Sequence, residues 1–501
     1  MKATKIIALC LCLLLCGSVF LVACGGEGDE SSKSTVSTEK VTTGYDPSTG
    51  KYVVEMPEFT WDKDEFVILI NSNEGDSTYF SEEIVPDLYS TTDTKLNDAV
   101  RDRNYEIEEK YGVTIKAEVV PNVANELRES VTSALQLYDA ALPSMPGAAT
   151  LAQEDSLYNL YDFSDYFHFD QPWWDQSAEE ALTVDDKLFF TTGDISIMQK
   201  IVSIAVTFNK RMLSEYFPGE DLYQMVIDKE WTFDKMIEMG REVTSDTDGK
   251  AGMTYEDTWG LSSSYGDASM FYLASGNKYI EKDGNDLPIL AFGAEEVSIS
   301  LSQTILEKLQ LVDDWAFHCN TVTSGDKWVI SLDVFGQNRA LFRTSAFSAI
   351  KKLRQYDDAE EFGLIPMPLM TADQDTYYTP CNIAVSYGVV IPSDLEFEDA
   401  KFSAYMLEVM AVGAKNYVTP AYYESTLKQR DLKDEESEIM LEDYIFSNIV
   451  YDLGLSYNFG GISGMLTTLM STSSTDVASS FEEIKGAAET AIEDCLEKFS
   501  D

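Results

Sequence analysis

Two adjacent tryptophans, Trp173 and Trp174, stand in the phrase Pro172-Trp-Trp-Asp175, outside any helical or strand period. Aromatic faces pack against the C–H faces of sugar rings, so the pair suits a stacking platform. It suits equally a hydrophobic plug where the chain crosses between two bodies. Asp194, in Thr192-Gly-Asp-Ile195, is either a turn residue or a carboxylate that accepts two hydroxyls at once. Trp259 and Tyr265 flank Ser262-Ser263-Ser264 and are aromatic candidates, with core packing the competing role for Trp259. Glu74, with Asp76 and Tyr79, falls in the polar loop after the apolar stretch Phe66–Ile70. In open α/β sheets ligands gather at the carboxyl ends of strands, which makes that loop a candidate. These residues are acceptors and rings, suited to holding a hydroxylated guest.

Groups for bond-breaking chemistry are scarce. The chain has two histidines, His168 and His318, which leaves little for histidine catalysis or metal binding. There is no G-x-S-x-G, no G-x-x-x-x-G-K-[ST], no H-E-x-x-H and no dinucleotide-binding glycine run. No cofactor is implied. Asp246-Thr-Asp248-Gly249-Lys250 starts like a calcium loop, but its fifth position is Lys250, its sixth Ala251 and its twelfth Asp257, so a plain turn is expected and no metal is assigned. Carboxylates are abundant, at 87 acidic against 36 basic residues, so counting them does not exclude a glycoside hydrolase. The formal charge of −51 repels nucleic acid and anionic lipid and suits a solvated surface.

The elements that must position these residues alternate. Phe66–Ile70 and Val113–Val120 read as strands, and Leu96–Tyr111 and Asn122–Tyr138 as helices. A further strand begins at Tyr138 and breaks at Pro143. Ile201–Phe208 is an apolar, β-branched run ending at Asn209-Lys210, as a buried strand does. In Trp231-Thr-Phe-Asp234, Thr232 reads as an N-cap with Asp234 in the first turn. Ser298–Asp314 and Asp399–Val412 are helical, and Ile383–Ile391 is strand-like. Such alternation argues a wound α/β architecture, and a chain this long exceeds one core.

The first residues are organised differently. Lys2 and Lys5 precede an uncharged run from Ile6 to Ala23, followed by Cys24-Gly25. That reads as a lipoprotein signal peptide, residues 1–23, cleaved before Cys24, whose thiol then carries lipid and anchors the chain to a membrane. Losing Lys2 and Lys5 takes the charge from −51 to −53. Residues 24–57 read as a flexible tether, poorest in large apolar residues from Gly25 to Lys51. Of seven cysteines, only Cys319, Cys381 and Cys495 remain in the body, too few and too scattered for a disulfide framework.

The succession strand–Phe208-Asn-Lys210–helix–Trp231-Thr-Phe-Asp234–helix resembles the extracellular solute-binding proteins of ABC importers, in the family 1 type, sugar-carrying branch. Gly363-Leu-Ile-Pro-Met-Pro368, Ala421-Tyr-Tyr-Glu424, Leu427-Lys428, Asp434-Glu-Glu-Ser437 and Met440-Leu441 follow in the order of clostridial-type members. The resemblance spans about residues 60–501. It implies a two-lobed, periplasmic-binding-protein-like (type II) α/β fold with a hinge and an interlobe cleft. Residues 58–170 and 376–415 would form one lobe, and 171–375 and 416–501 the other. Phe335–Arg343 resembles the family's F-x-x-G-x-A-L-F region with its glycine displaced, so Arg343, Thr344 and Ser345 would border the site. The implied function is capture of a small polar ligand, most often a sugar, at the outer cell surface, and delivery to permease subunits. A surface glycan-adhesion lipoprotein or glycoside hydrolase is the alternative.

Overall fold

The computed structural model describes residues 42–500 apart from 73–80, 89–93, 312–313, 354–355, 357–361 and 425–434. The signal segment, Cys24 and the loop carrying Glu74, Asp76 and Tyr79 lie outside the described residues.

A hairpin comes first, β1 (Gly44–Asp46) with β2 (Lys51–Val53), antiparallel and in register Tyr45↔Tyr52. These residues were expected to belong to the polar tether. Tyr52, Val54 and Met56 supply enough apolar surface to pack on the core, so residues 42–57 are held to the body and not free of it. β3 (Glu65–Asn71) follows, then α1 (Thr94–Tyr111), which buries Leu96, Val100, Arg103, Asn104 and Ile107 on one face. Next are β4 (Thr114–Val120), α2 (Val123–Thr132) and β5 (Ala140–Ala141). The α2 helix stops short of the expected Tyr138 because Ala134 and Gln136 take left-handed φ of 48° and 52°, which no helix accommodates. Leu135 and Leu137 are consequently exposed.

β4, β3 and β5 form a parallel sheet in that order. Ala141 bridges Val390, and Val389 bridges Thr191. Ile383–Ile391 thus meets the sheet by single bridges rather than as a strand. After α3 (Met145–Gln153), residues 171–202 also stay with this first lobe: Leu160 N–H donates to Leu188 O at 2.7 Å, and Trp173 and Trp174 bond into a later helix of the same lobe. The one-turn α4 (Met198–Ile201) closes this stretch.

The chain then enters a second sheet through β6 (Ile204–Asn209), every residue of which is buried. α5 (Phe233–Val243) is capped as its sequence asks, Thr232 Oγ1 accepting the Lys235 N–H at 3.2 Å. It presses on β7 (Trp259–Ser263) with no side chain between: a Cβ on Gly260 would stand 2.3 Å from the Gly240 Cα. α6 (Asp267–Ala274), β8 (Ala316–His318), α7 (Lys327–Gly336), β9 (Ala340–Ala346), α8 (Phe347–Leu353) and β10 (Phe362–Ile365) complete the lobe. Its order is β8-β7-β9-β6-β10, with β7, β8 and β9 parallel and β6 antiparallel to both neighbours. β10 is an edge strand stopped by Pro366.

The return passes through β11 (Thr379–Pro380), and α9 (Phe397–Asn416) and α10 (Val418–Tyr422) lie in the first lobe. Ser437 Oγ then meets Tyr223 OH at 2.7 Å and accepts the Leu364 N–H at 3.3 Å, on the second lobe. β12 (Ile449–Val450) pairs parallel with β11, and Ser203 bridges Cys381 beside them. These paired crossings form the belt joining the two lobes. The long α11 (Val477–Phe499) ends the chain. Cys319, Cys381 and Cys495 are free and buried, and no described helix is long and apolar enough to cross a membrane.

Candidate functional site

In the second lobe the carboxyl ends of β7 and β9 converge on Asp267. Its Oδ2 accepts Ser263 Oγ at 2.7 Å, Ser264 N–H at 2.9 Å and Thr344 Oγ1, and its Oδ1 accepts Ser264 Oγ at 3.0 Å. One carboxylate therefore ties two strand ends into a fixed polar rim. Tyr265 stands on that rim, half-buried, with its N–H on Asn320 Oδ1 at 2.8 Å and its ring 5.7 Å from His318. Ser345 is buried; its hydroxyl lies 3.3 Å from Thr207 Oγ1 and accepts from the Arg343 guanidinium. Trp259 begins β7, at the opposite end of the strand from Tyr265. It is buried against Phe317 with its indole N–H on Thr254 O at 2.8 Å, and lines a side cavity of about 450 Å³.

The first lobe holds the tryptophan pair. Trp173 is 0 % and Trp174 3 % exposed, so neither presents a free ring face. Their indole N–H groups both donate to the buried Glu408, at 2.9 and 2.7 Å, and His168 Nδ1 stands 3.1 Å from the same carboxylate. That hydrogen bond to Glu408 raises the His168 pKa against the desolvation that would lower it. Both rings are enclosed within the first lobe, their N–H groups spent on Glu408. Gly193 makes the fold possible here: a Cβ would stand 2.4 Å from Trp173 O.

Asp194 follows, and its N–H donates to Trp173 O at 2.8 Å. Both carboxylate oxygens are taken: Oδ1 by Lys200 Nζ at 2.6 Å and Thr419 Oγ1 at 2.8 Å, Oδ2 by Lys415 Nζ at 3.1 Å. Burial would raise the Asp194 pKa, but Lys200 and Lys415 outweigh it and hold the carboxyl below its ordinary range. Lys200 is raised in turn, Asp194 overcoming its own desolvation.

The lobes meet beside this ion pair. Helix α8 of the second lobe contacts α4 of the first, which carries Lys200. Phe347, at the start of α8, lies 5.0 Å from Phe446, and Phe446 lies 5.6 Å from Tyr423. Tyr423 and Phe446 are half-buried, and Tyr423 is close enough to act electrostatically on Lys200. Lys200, Asp267, Tyr423 and Phe446 were not singled out in sequence. Tyr422-Tyr423 was visible as an aromatic pair and Asp267 as the end of the polar loop Ser262–Asp267; nothing local marks Lys200 or Phe446. Trp173 and Asp194 are brought together on the first lobe, and Tyr265, Ser345 and Trp259 sit on the second.

Asp246, Asp248 and Asp257 do gather, their oxygens within 4.8 Å of one another. The Asp257 carboxylate, however, accepts three backbone N–H groups, from Thr247 at 2.7 Å, Asp248 at 2.9 Å and Thr254 at 2.6 Å, and Lys250 Nζ stands 3.2 Å from Asp248. Lone pairs that a cation would need are spent on stapling a turn.

No protein-family model and no curated protein matches the chain. Solved structures do. A sugar transporter protein from Rhizobium etli, in an open conformation, is 13 % identical with a TM-score of 0.56, covering 85 % of this chain and 99 % of that one. A cyclo/maltodextrin-binding protein complexed with maltotetraose is 12 % identical at TM-score 0.55, covering 88 % and 98 %. UgpB from Mycobacterium tuberculosis, in complex with glycerophosphocholine, is 14 % identical at TM-score 0.52, covering 87 % and 99 %. The chain has the two-lobed α/β fold of these binding proteins.

Proposed function

We infer that the protein is the solute-binding component of an ABC importer, held at the outer cell surface by lipid on Cys24. It captures a small polar ligand between its lobes and presents it to permease subunits. The observation that carries this is the pairing of Ser203–Cys381 and β11–β12 between two separate sheets, in a chain that shares its fold over 85 % of its length with a sugar transporter's binding protein. Ligand touching both lobes favours the closed form by its differential affinity, and that difference is the signal a transporter reads. A carbohydrate fits best. Tyr265 and Tyr423 offer rings, and the Ser263, Ser264 and Thr344 hydroxyls that Asp267 fixes keep acceptor lone pairs, the groups that suit a polyol.

A thermal-shift screen of mono- and oligosaccharides, polyols and glycerophosphodiesters tests the ligand class. A ligand at 100 times its Kd adds about 2.7 kcal/mol of stability. A shift with glycerophosphodiesters alone replaces the sugar assignment; no shift with any, or release of hydrolysed product, removes the binding reading. Anchoring is tested separately. Cys24→Ser should move the protein from membrane to soluble fractions, and an unchanged distribution would end the lipid assignment.

A further inference from the structure

The hairpin β1–β2 is fastened to the body by more than packing. Asn416 grips Tyr52 at both ends of one residue: the Tyr52 N–H donates to Asn416 Oδ1 at 2.7 Å, and Asn416 Nδ2 donates to Tyr52 O at 2.8 Å. A side-chain amide thus replaces the partner that an edge strand lacks. Next to it, Lys51 Nζ lies 3.3 Å from Glu106 Oε2 of α1 and contacts Tyr417 OH, which itself donates to Glu106. The Tyr52 ring meets Trp173 edge-on at 6.3 Å. Lys415 Nζ sits 5.7 Å over the same ring and 3.1 Å from Asp194 Oδ2.

Lys415, Asn416 and Tyr417 are consecutive, at the join between α9 and α10. Two of them hold the hairpin, and the third is shared between the hairpin and Asp194. From Asp194 the contact runs to Lys200 on α4, and α4 leads within two residues to Ser203, which bridges Cys381 in the crossing belt. The negative face of the Tyr52 ring attracts the ammonium group and so biases where Lys415 points.

We propose that residues 42–54 are a strap that holds Lys415 on Asp194 and so stiffens α4 and the crossing belt from behind, at a distance from anything the strap touches. Seating of the strap and the mobility of the hinge are then coupled, and whatever disturbs the chain N-terminal to Thr42 is felt at the belt. Among the described residues, the hydrogen bonds and ring contacts from the strap to the body run to Trp173, Glu106 and residues 415–417, and none of them to 198–203. Coupling therefore predicts an effect where direct contact predicts none.

Hydrogen exchange of the full chain tests this with three variants: residues 42–53 replaced by an equally long Gly/Ser segment, Tyr52→Ala, and Lys415→Met. All three should raise exchange of the amides of 198–203 by threefold or more. If the replacement loosens only the ground beneath it, residues 103–111 and 409–417, and 198–203 keep their protection, the strap is a local patch and the proposal falls. Should the replacement unfold the protein, Tyr52→Ala leaves the hairpin backbone in place and decides the question alone. Lys415→Met with 198–203 unchanged would overturn the route through Asp194.

Discussion

Two of the carboxylates buried in the first lobe, Asp194 and Glu408, are solvated in opposite ways. Asp194 is met by two ammonium groups and a hydroxyl, Glu408 by two indole N–H groups and a partly exposed histidine. A buried carboxylate must be paired or hydrogen-bonded. At Asp194 the compensation is full formal charge, at Glu408 mostly neutral donors. The first solution places a surplus of positive charge close to where α8 meets α4 in a strongly acidic chain. The second locks two tryptophans that would otherwise look available to a ligand. Similar burial therefore carries different pH behaviour and different tolerance of substitution.

The largest effect separating them is expected at Asp194. Asp194→Asn leaves two ammonium groups facing one neutral amide and should destabilise the fold by about 3 kcal/mol, the low end for breaking a buried pair because both lysines keep some solvent contact. Urea denaturation measures it; a loss below 1 kcal/mol would mean that the ammonium groups simply turn to water. With its folded pKa lowered, Asp194 gives stability that is present above the ordinary carboxylate range and is lost as pH falls through that lower value. The wild-type advantage over Asp194→Asn should shrink only in acid.

Glu408→Gln comes next. One oxygen and one NH₂ group cannot receive two indoles and a histidine, so at least one buried N–H is left unpaired, at about 1–3 kcal/mol. Near-ultraviolet circular dichroism should change with it, because Trp173 and Trp174 lose their shared anchor; an unchanged tryptophan signal would show that packing alone fixes them.

The smallest effect runs in the opposite pH direction. The raised pKa of His168 means that its pairing with Glu408 contributes fully below the unfolded histidine value and is lost as pH rises through the folded one. His168→Gln should therefore be less stable than wild type at pH 5.5, by under about 1 kcal/mol given the exposure of the ring, and indistinguishable in alkali. A deficit that grows with pH would refute the assignment.

Much of the framework was legible. β3, β4, β6 and the Thr232-capped α5 stood where apolar runs and a cap residue put them, because those signals are local. The crossing belt was not legible, since β11 and β12 are two residues long and pair across a gap of about seventy positions that no period reports. Nor was the fate of Trp173 and Trp174: their donor-hungry indoles are satisfied by Glu408, an acid inside a helical run that reads as any other. The hairpin was missed for a compositional reason. Ser48 and Thr49 face water and Lys51 reads as one more solvated charge although it meets Glu106 and Tyr417, so Tyr52 is the main local hint that something lies beneath. Asp194 was noticed for its acceptor capacity, yet Lys200 and Lys415, which exhaust that capacity, arrive from six and 221 positions away.

The three buried cysteines bear on how lobe motion can be watched. Burial pushes the Cys319 and Cys495 thiols up to about 12, and Cys381 shifts the same way, so none supplies thiolate to an alkylating dye at neutral pH. A secreted form starting after Cys24 would be silent toward maleimide without replacing any of the three remaining cysteines. One surface cysteine placed on each lobe would then carry a fluorophore pair, and energy transfer between them would read out closing directly, ligand by ligand.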